Sequence, residues 1–401
     1  MTEVTQQAQL DEPERRHLEK IVKQLRERAE ETVEYWVHSK LNLAEEGAEA
    51  PANLSAEERE LRGRVEEAIE REQAGERSWA KARDLYVKGV GYTLVNRLAA
   101  LRCMEVRGFL DRSPTRFRDD GVTPAADRLI TDYFLPREAG IWTAFLVACQ
   151  ERSEEIEILF DLSDPYSLLY GDLTGWDGEP EEVAWSDDLQ ASLVDLLQGL
   201  GGLLDEVEDA VWRADDVLGW VYEYYNVPDL EGVRSSVKTK EDAIAANQFY
   251  TPHWVVRMLV DNSLGKLYLE HDGSLDEAVE HQEKRFTPEE RKARIPSIDE
   301  SPSVADLCSY LVPTEEEGEA TDTLAKEGPK GLRVFDPASG SAHFLLYAFD
   351  VLERIWRAET DVDPGKIPEK ILEHNLYGVD LDLRACQLAA FNLYLKARSR
   401  A

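Results

Sequence analysis

An α/β chain with a large helical N-terminal domain is the fold class this sequence predicts. Three observations carry it. Residues 1–235 repeat apolar positions at helical spacing with few strand-like runs. Two short apolar runs follow, 332–335 and 376–379, each leading into a helical pattern. The first of these runs enters the small-residue turn Asp336-Pro337-Ala338-Ser339-Gly340-Ser341.

In the first region, Leu18, Val22, Leu25, Ala29, Val33 and Trp36 recur at helical spacing between charged residues. Residues 43–60 are acidic, contain Pro51 and predict a loop into a further helix. Tyr92–Leu110 predicts a helix with Leu94, Leu98 and Leu101 on one face and Arg97 and Arg102 off it. Residues 113–135 and 162–188 hold proline and glycine and predict turn-rich passages. Leu193, Leu197, Leu200, Leu204 and Val207 form another stripe, interrupted by Gly199, Gly201 and Gly202. Pro228–Lys240 predicts a linker. Its cluster of Arg234, Lys238 and Lys240 reads first as a solvated loop and second as a phosphate contact.

The second domain, 236–401, opens on Phe249-Tyr250-Thr251-Pro252. Thr251 is placed to cap a helix over His253–Tyr268, with Pro252 at its first position. Residues 270–330, charged and carrying a Glu run at 315–317, predict an insertion with a flexible end. A βαβα unit follows: strand 332–335, helix 343–358, loop, strand 376–379 and a last helix 383–398.

A turn of small residues lets a ligand approach the backbone closely, and the helix after it offers free N–H groups to an anion. Asp380 ends the second strand, where a carboxylate can accept from two adjacent ribose hydroxyls. Asp382 is an alternative for that role, with capping of the last helix as its main one. Glycines at dinucleotide spacing are missing, which disfavours NAD.

The net charge is −35, with 81 acidic against 46 basic residues. Taken alone, that balance argues against nucleic acid as a partner. Acidic residues are spread throughout, however, as in proteins that stay soluble in molar salt, where phosphate contacts gain little from counterion release. A salt-adapted protein is therefore the preferred reading, with an acidic interaction protein as the other. Cys103, Cys149, Cys308 and Cys386 form no CxxC pair, so neither a zinc site nor a disulfide framework is expected, and a reducing cytoplasm is. No apolar run reaches the length of a membrane span. No Ser-His-Asp or Cys-His set assembles at recognisable spacing, so no catalytic residue is assigned. Asp361 and Asp363 with Asp380 and Asp382 could suggest a cation, but acidic loops are the background of this chain, and no metal site is expected.

The order of these elements resembles the amino-methyltransferases that act on the exocyclic amine of adenine in DNA. Those enzymes carry Phe-x-Thr-Pro, then Asp-Pro-Ala-Cys-Gly-Ser-Gly, then an acid ending the next strand. Phe249, Thr251 and Pro252 match the first element. Asp336, Pro337, Ala338, Gly340 and Ser341 match the second, and Asp380 the third. More narrowly, the chain is similar to the PglX-type methyltransferases of BREX phage-defence systems. That likeness is scattered over 92–398, through Tyr92–Arg102, Gly219–Tyr225, Thr251–Arg257, Asn262–Gly265 and His343–Leu352.

The resemblance implies an incomplete Rossmann-like domain that binds S-adenosyl-L-methionine (SAM). Asp336 would hold the methionine amino group, and Gly340 and Ser341 would offer N–H groups to its carboxylate. Asp380 would hold the ribose, with Phe249 and Pro252 packed on the cofactor. His343 would either help position the cofactor or simply open its helix; His253 is expected at the surface. Ser339 stands where the family has Cys, and Ala342 where it has Gly. The Asn-Pro-Pro-Tyr that holds a flipped adenine does not occur in these residues. The resemblance thus implies DNA as substrate, a complementing chain bearing that tetrapeptide beside the free edge of strand 332–335, and other defence proteins as possible partners. The alternative is a non-catalytic SAM- or DNA-binding subunit, or a defunct fragment.

Overall fold

A computed structural model describes residues 10–73, 77–170, 187–234, 251–287, 295–313 and 322–401. Phe249, Lys238, Lys240 and the Glu run at 315–317 lie outside the described residues. The chain divides into two compact units, residues 16–212 and residues 1–15 with 213–401.

The first unit is helical. Helix α1 (Glu12–Glu34) buries Leu18, Ile21, Val22, Leu25, Ala29 and Val33, the stripe seen in the sequence. Helix α2 (Ala56–Glu72) starts on a capping box: Ser55 Oγ accepts from Glu58 N at 3.1 Å, and Glu58 Oε2 accepts from Ser55 N at 2.9 Å. Helix α3 (Trp79–Val106) is buried on every side from Gly89 to Met104, as a stretch apolar around most of its circumference must be. Arg97 and Arg102, expected off the buried face, are 1 % and 0 % exposed. Their guanidinium groups are satisfied inside the unit. Arg97 donates to Leu159 O, Asp161 O and Ser167 Oγ at 2.7–2.9 Å. Arg102 donates to Thr115 Oγ1 at 2.9 Å and pairs with Asp205 at 2.6 Å and Glu105 at 3.2 Å.

The turn-rich passage at 113–135 contains a helix, α4 (Pro124–Asp132), capped by Thr123; α5 (Arg137–Ser153) packs against it. In α6 (Asp187–Asp205), Gly201 is a point of close approach: a Cβ there would lie 2.6 Å from the Phe117 ring.

The second unit opens with α7 (Val217–Arg234), so the expected linker is helical up to Arg234. Its buried residues Val217, Leu218, Val221 and Tyr225, and its packing against the last helix, explain why the division falls at 213 rather than 235. Helix α8 (His253–Val260) passes through a π turn at Asp261–Gly265 into α9 (Lys266–Asp272), four residues beyond the expected end. Pro252, not Thr251, occupies the capping position, and no side chain caps this helix.

The expected insertion is built into the core. Helix α10 (Leu275–Arg285) contributes Ala278, and the following segments contribute Val304, Leu307, Cys308, Leu311 and Leu324. A polar knot ties the insertion down. Asp261 accepts from Ser309 N, Tyr310 N and Tyr347 Oη at 2.7–3.0 Å, and Arg257 donates to Ser309 Oγ at 2.5 Å. Burial pushes the Asp261 carboxyl above its usual range, against those hydrogen bonds.

Strand β1 (Val334–Asp336) pairs in parallel with β2 (Leu376–Gly378), in the register Val334–Leu376, Phe335–Tyr377, Asp336–Gly378. Between them run α11 (His343–Glu359) and α12 (Ile367–His374); α13 (Leu383–Arg400) ends the chain. The βαβα order is as the sequence predicts. Val334 and Leu376 pack on the core, whereas Phe335, Tyr377 and Val379, on the alternate positions, are 59 %, 44 % and 51 % exposed.

Candidate cofactor site

The turn after β1 is fixed by backbone bonds to the end of β2. Val379 N donates to Asp336 O, and Ser339 N to Val379 O, both at 3.0 Å; Ala342 N closes on Ser339 O at 2.8 Å. Gly378 is required by this stitching, since a Cβ there would sit 2.9 Å from Ser339 Cβ. Asn392 Nδ2, from α13, donates to Ser341 O at 3.0 Å.

Two residues of the turn are left-handed. Gly340 has φ +50°, and a Cβ on it would meet nothing within 4 Å, so the turn is open to an incoming group on that side. Ala342 has φ +74° and is fully buried. The backbone is thus the one glycine favours, and alanine adopts it at about 1–2 kcal/mol. Its buried methyl against Leu345 and Ala389 offsets roughly 0.8 kcal/mol of that. Packing therefore offsets part of the cost of alanine at this left-handed position.

Asp336 Oδ1 accepts from Ala338 N at 3.0 Å, an Asx-type bond that fixes the side chain. Its Oδ2 is buried and has no partner. A buried carboxylate oxygen without a donor costs on the order of 1–3 kcal/mol, or more for a charge, until a donor arrives. Asp380 Oδ2 accepts from Gly340 N at 2.9 Å and Oδ1 from Asp382 N at 2.9 Å. The Gly340 N–H is therefore taken by Asp380, which corrects the expectation that it is offered to a ligand carboxylate. Each Asp380 oxygen keeps a further lone pair. Asp382 caps α13 through Arg384 N at 3.0 Å, its expected main role. Pro337 and Ala338 are exposed, while Ser339 and Ser341 are buried.

Sequence reasoning missed the polar cluster behind this turn. His253 opens α8, directly after Pro252, and His343 opens α11, directly after Ala342. Their rings lie 4.4 Å apart between centroids, with Nε2 to Nε2 at 3.0 Å, and His253 Nε2 is 3.2 Å from Asp216 Oδ2. His253 is thus not a plain surface residue. Burial pushes the His343 imidazole down to about 4. Beside it, Lys396 is held between Asp350 at 2.8 Å and Asp215 at 3.0 Å. Burial disfavours its charge, and the two carboxylates more than offset that, so its pKa is raised. The signal available in the sequence was only that each histidine follows a motif residue.

Among the described residues no group of three or more His, Cys, Asp or Glu is arranged to hold a metal ion. Nor is any described helix long and apolar enough to cross a membrane.

Residues 321–400 match the N-6 DNA Methylase family. The match covers the turn, both strands and Asp380. The chain is 28 % identical over 351 residues, 82 % of its length, to the adenine-specific methyltransferase BrxX of Escherichia coli (strain HS). It is 27 % identical over 343 residues, 81 % of its length, to the adenine-specific methyltransferase PglX of Lacticaseibacillus casei (strain Zhang). It spans about a quarter of each relative, 26 % in both cases. The similarity to PglX-type methyltransferases expected from the sequence is thereby found, and it extends into the helical unit.

Proposed function

We propose that this chain is the SAM-binding portion of an adenine-specific DNA methyltransferase of phage defence, with β1, β2 and their helices forming part of a Rossmann-like domain. The observation that carries the reading is the buried, unpartnered Asp336 Oδ2 beside the open face of Gly340. An ammonium group such as that of the methionine end of SAM would supply the missing donor. The spare lone pairs of Asp380 suit the ribose hydroxyls, and Phe249, Thr251 and Pro252 would pack on the cofactor. Pro337, Ala338 and Ser341 shape the turn. When bound, SAM supplies a methyl group on a sulfonium. Transfer to adenine in DNA needs an Asn-Pro-Pro-Tyr segment from outside these residues, and we propose that the polypeptide bearing it covers the Phe335–Tyr377 face and the edge of β1 that no strand pairs among the described residues. The acidic composition fits a cytoplasm of high salt, so binding is best measured in molar KCl as well as in dilute buffer.

The test is calorimetric titration of SAM into the chain and into Asp336→Ala. Removing an ionised hydrogen-bond partner costs about 1.5–3 kcal/mol, so affinity should fall by at least about tenfold. Equal affinity in a folded variant would refute the cofactor assignment. Methyl transfer only after addition of a polypeptide bearing the tetrapeptide separates the enzyme portion from a non-catalytic binding subunit.

A further inference from the structure

Three chain segments converge behind the turn. Asp216 immediately precedes α7, His253 opens α8 and His343 opens α11, and their polar atoms meet within 3.0–3.2 Å. The cavity they line is also faced by Asp215, Tyr347, Asp350 and Lys396. Asp216 is 2 % exposed and accepts through Oδ2 from Leu10 N at 3.4 Å and Trp220 Nε1 at 2.7 Å as well as facing His253. Its other oxygen, Oδ1, is buried without a partner. A carboxylate that only accepts requires the His253 proton on Nε2. That one N–H lies between two acceptors, Asp216 Oδ2 at 3.2 Å and His343 Nε2 at 3.0 Å, in a three-centre hydrogen bond, which places the His343 proton on Nδ1. The tautomers of both rings are therefore set by Asp216.

The two histidines stand one residue behind the two segments assigned to the cofactor. We propose that His253 and His343 are positioning residues: the hydrogen bond between their rings, oriented by Asp216, fixes Thr251-Pro252 against the Asp336–Ser341 turn. The inference rests on the SAM-binding reading above and adds to it the element that joins its two halves. Neither ring touches the cofactor; each acts by holding the backbone beside it. Protonation of His343 on Nε2 would set one N–H against another and break the bond. Burial opposes that protonation, as does the N-terminal position of His343 on α11. Asp350 and Asp215 are already engaged by Lys396.

The experiment is a double-mutant cycle read by SAM affinity. Wild type, Asp336→Ala, His253→Ala, His343→Ala and the double His253→Ala/His343→Ala chain are titrated with SAM, each with a thermal melt to establish folding. The expected result is a loss of about tenfold for either histidine and no further loss for the pair, because one bond is removed in all three. His343→Gln, whose amide can accept from His253, should recover part of the affinity. If the alanine variants fail to melt cooperatively, the glutamine variants are compared in the same cycle. Single variants that bind as wild type, or losses that multiply in the double variant, overturn the proposal. When this happens while Asp336→Ala still weakens binding by at least about tenfold, only the positioning role falls. A wild-type chain that binds no SAM overturns both readings.

Discussion

Two sets of buried polar groups, one in each unit, meet different surroundings. In the helical unit, Arg97 and Arg102 are buried among carbonyls, hydroxyls and carboxylates of the same unit. In the sheet unit, Asp336 Oδ2 waits inside without a donor, and the sheet turns Phe335, Tyr377 and Val379 outward. Leu381 and Leu383, just beyond β2, are 89 % and 64 % exposed. An orphaned acceptor alone marks no site, since Gln24 Oε1 and Asn96 Oδ1 of the helical unit are also buried without a partner; one that lies beside open space and bare apolar surface marks where a ligand and further chain belong.

The sharpest way to break that comparison is Arg102→Met. If the helical unit is a closed scaffold, removing this guanidinium takes from Glu105, which is 5 % exposed, its buried cation and leaves it Arg116 at 3.6 Å and hydrogen bonds from Ser113 and Thr115. The expected cost is about 3 kcal/mol, the low end for a broken buried pair because those partners remain, seen as a lower urea midpoint for that unit. SAM affinity of the folded chain should not change. A cost below about 1 kcal/mol would remove the distinction.

The next effect is pH-dependent and belongs to the sheet unit. His343 titrates at about 4 when folded and at its ordinary value, roughly 6.5, when unfolded. Between these values the unfolded chain binds the extra proton. Its contribution to stability is thus fully present above about pH 6.5 and is lost as pH falls toward 4, by up to about 3 kcal/mol. His343→Gln lacks this component. The gap between wild-type and variant urea midpoints should therefore change between pH 7 and pH 5, and a constant gap would refute the assignment.

The smallest effect is expected on the bare face. Phe335→Thr should alter stability by no more than about 0.5 kcal/mol, because the ring is already in water. What should improve is solubility at high protein concentration, read by light scattering. A destabilisation above about 1.5 kcal/mol would mean that the face is packed.

Much of this arrangement was legible in the sequence. The stripe of α1, the βαβα order and the cap at Asp382 follow from periodicity and from side chains that act on their immediate neighbours. What was not legible depends on partners distant in sequence. Arg97 and Arg102 look solvated until Leu159, Thr115 and Asp205 are brought to them. The insertion at 270–330 looks like surface until Asp261 gathers Ser309 and Tyr310. At the site, local chemistry displayed Asp336, Gly340 and Asp380. It could not display that Asp380 already holds the Gly340 N–H, or that His253 faces His343 across ninety residues.

The parallel pairing of β1 with β2 has a kinetic consequence. Val334 meets Leu376 only after α11 and α12 have carried the chain back, so the loop-closure entropy is spent before the first ladder bond forms. Capped helices such as α2 form on local contacts within microseconds. The turn that bears Asp336 is stitched to Val379, and it therefore acquires its shape only when this slow pairing closes. Competence to bind a ligand should then arrive late in refolding, after most of the helical signal has been recovered.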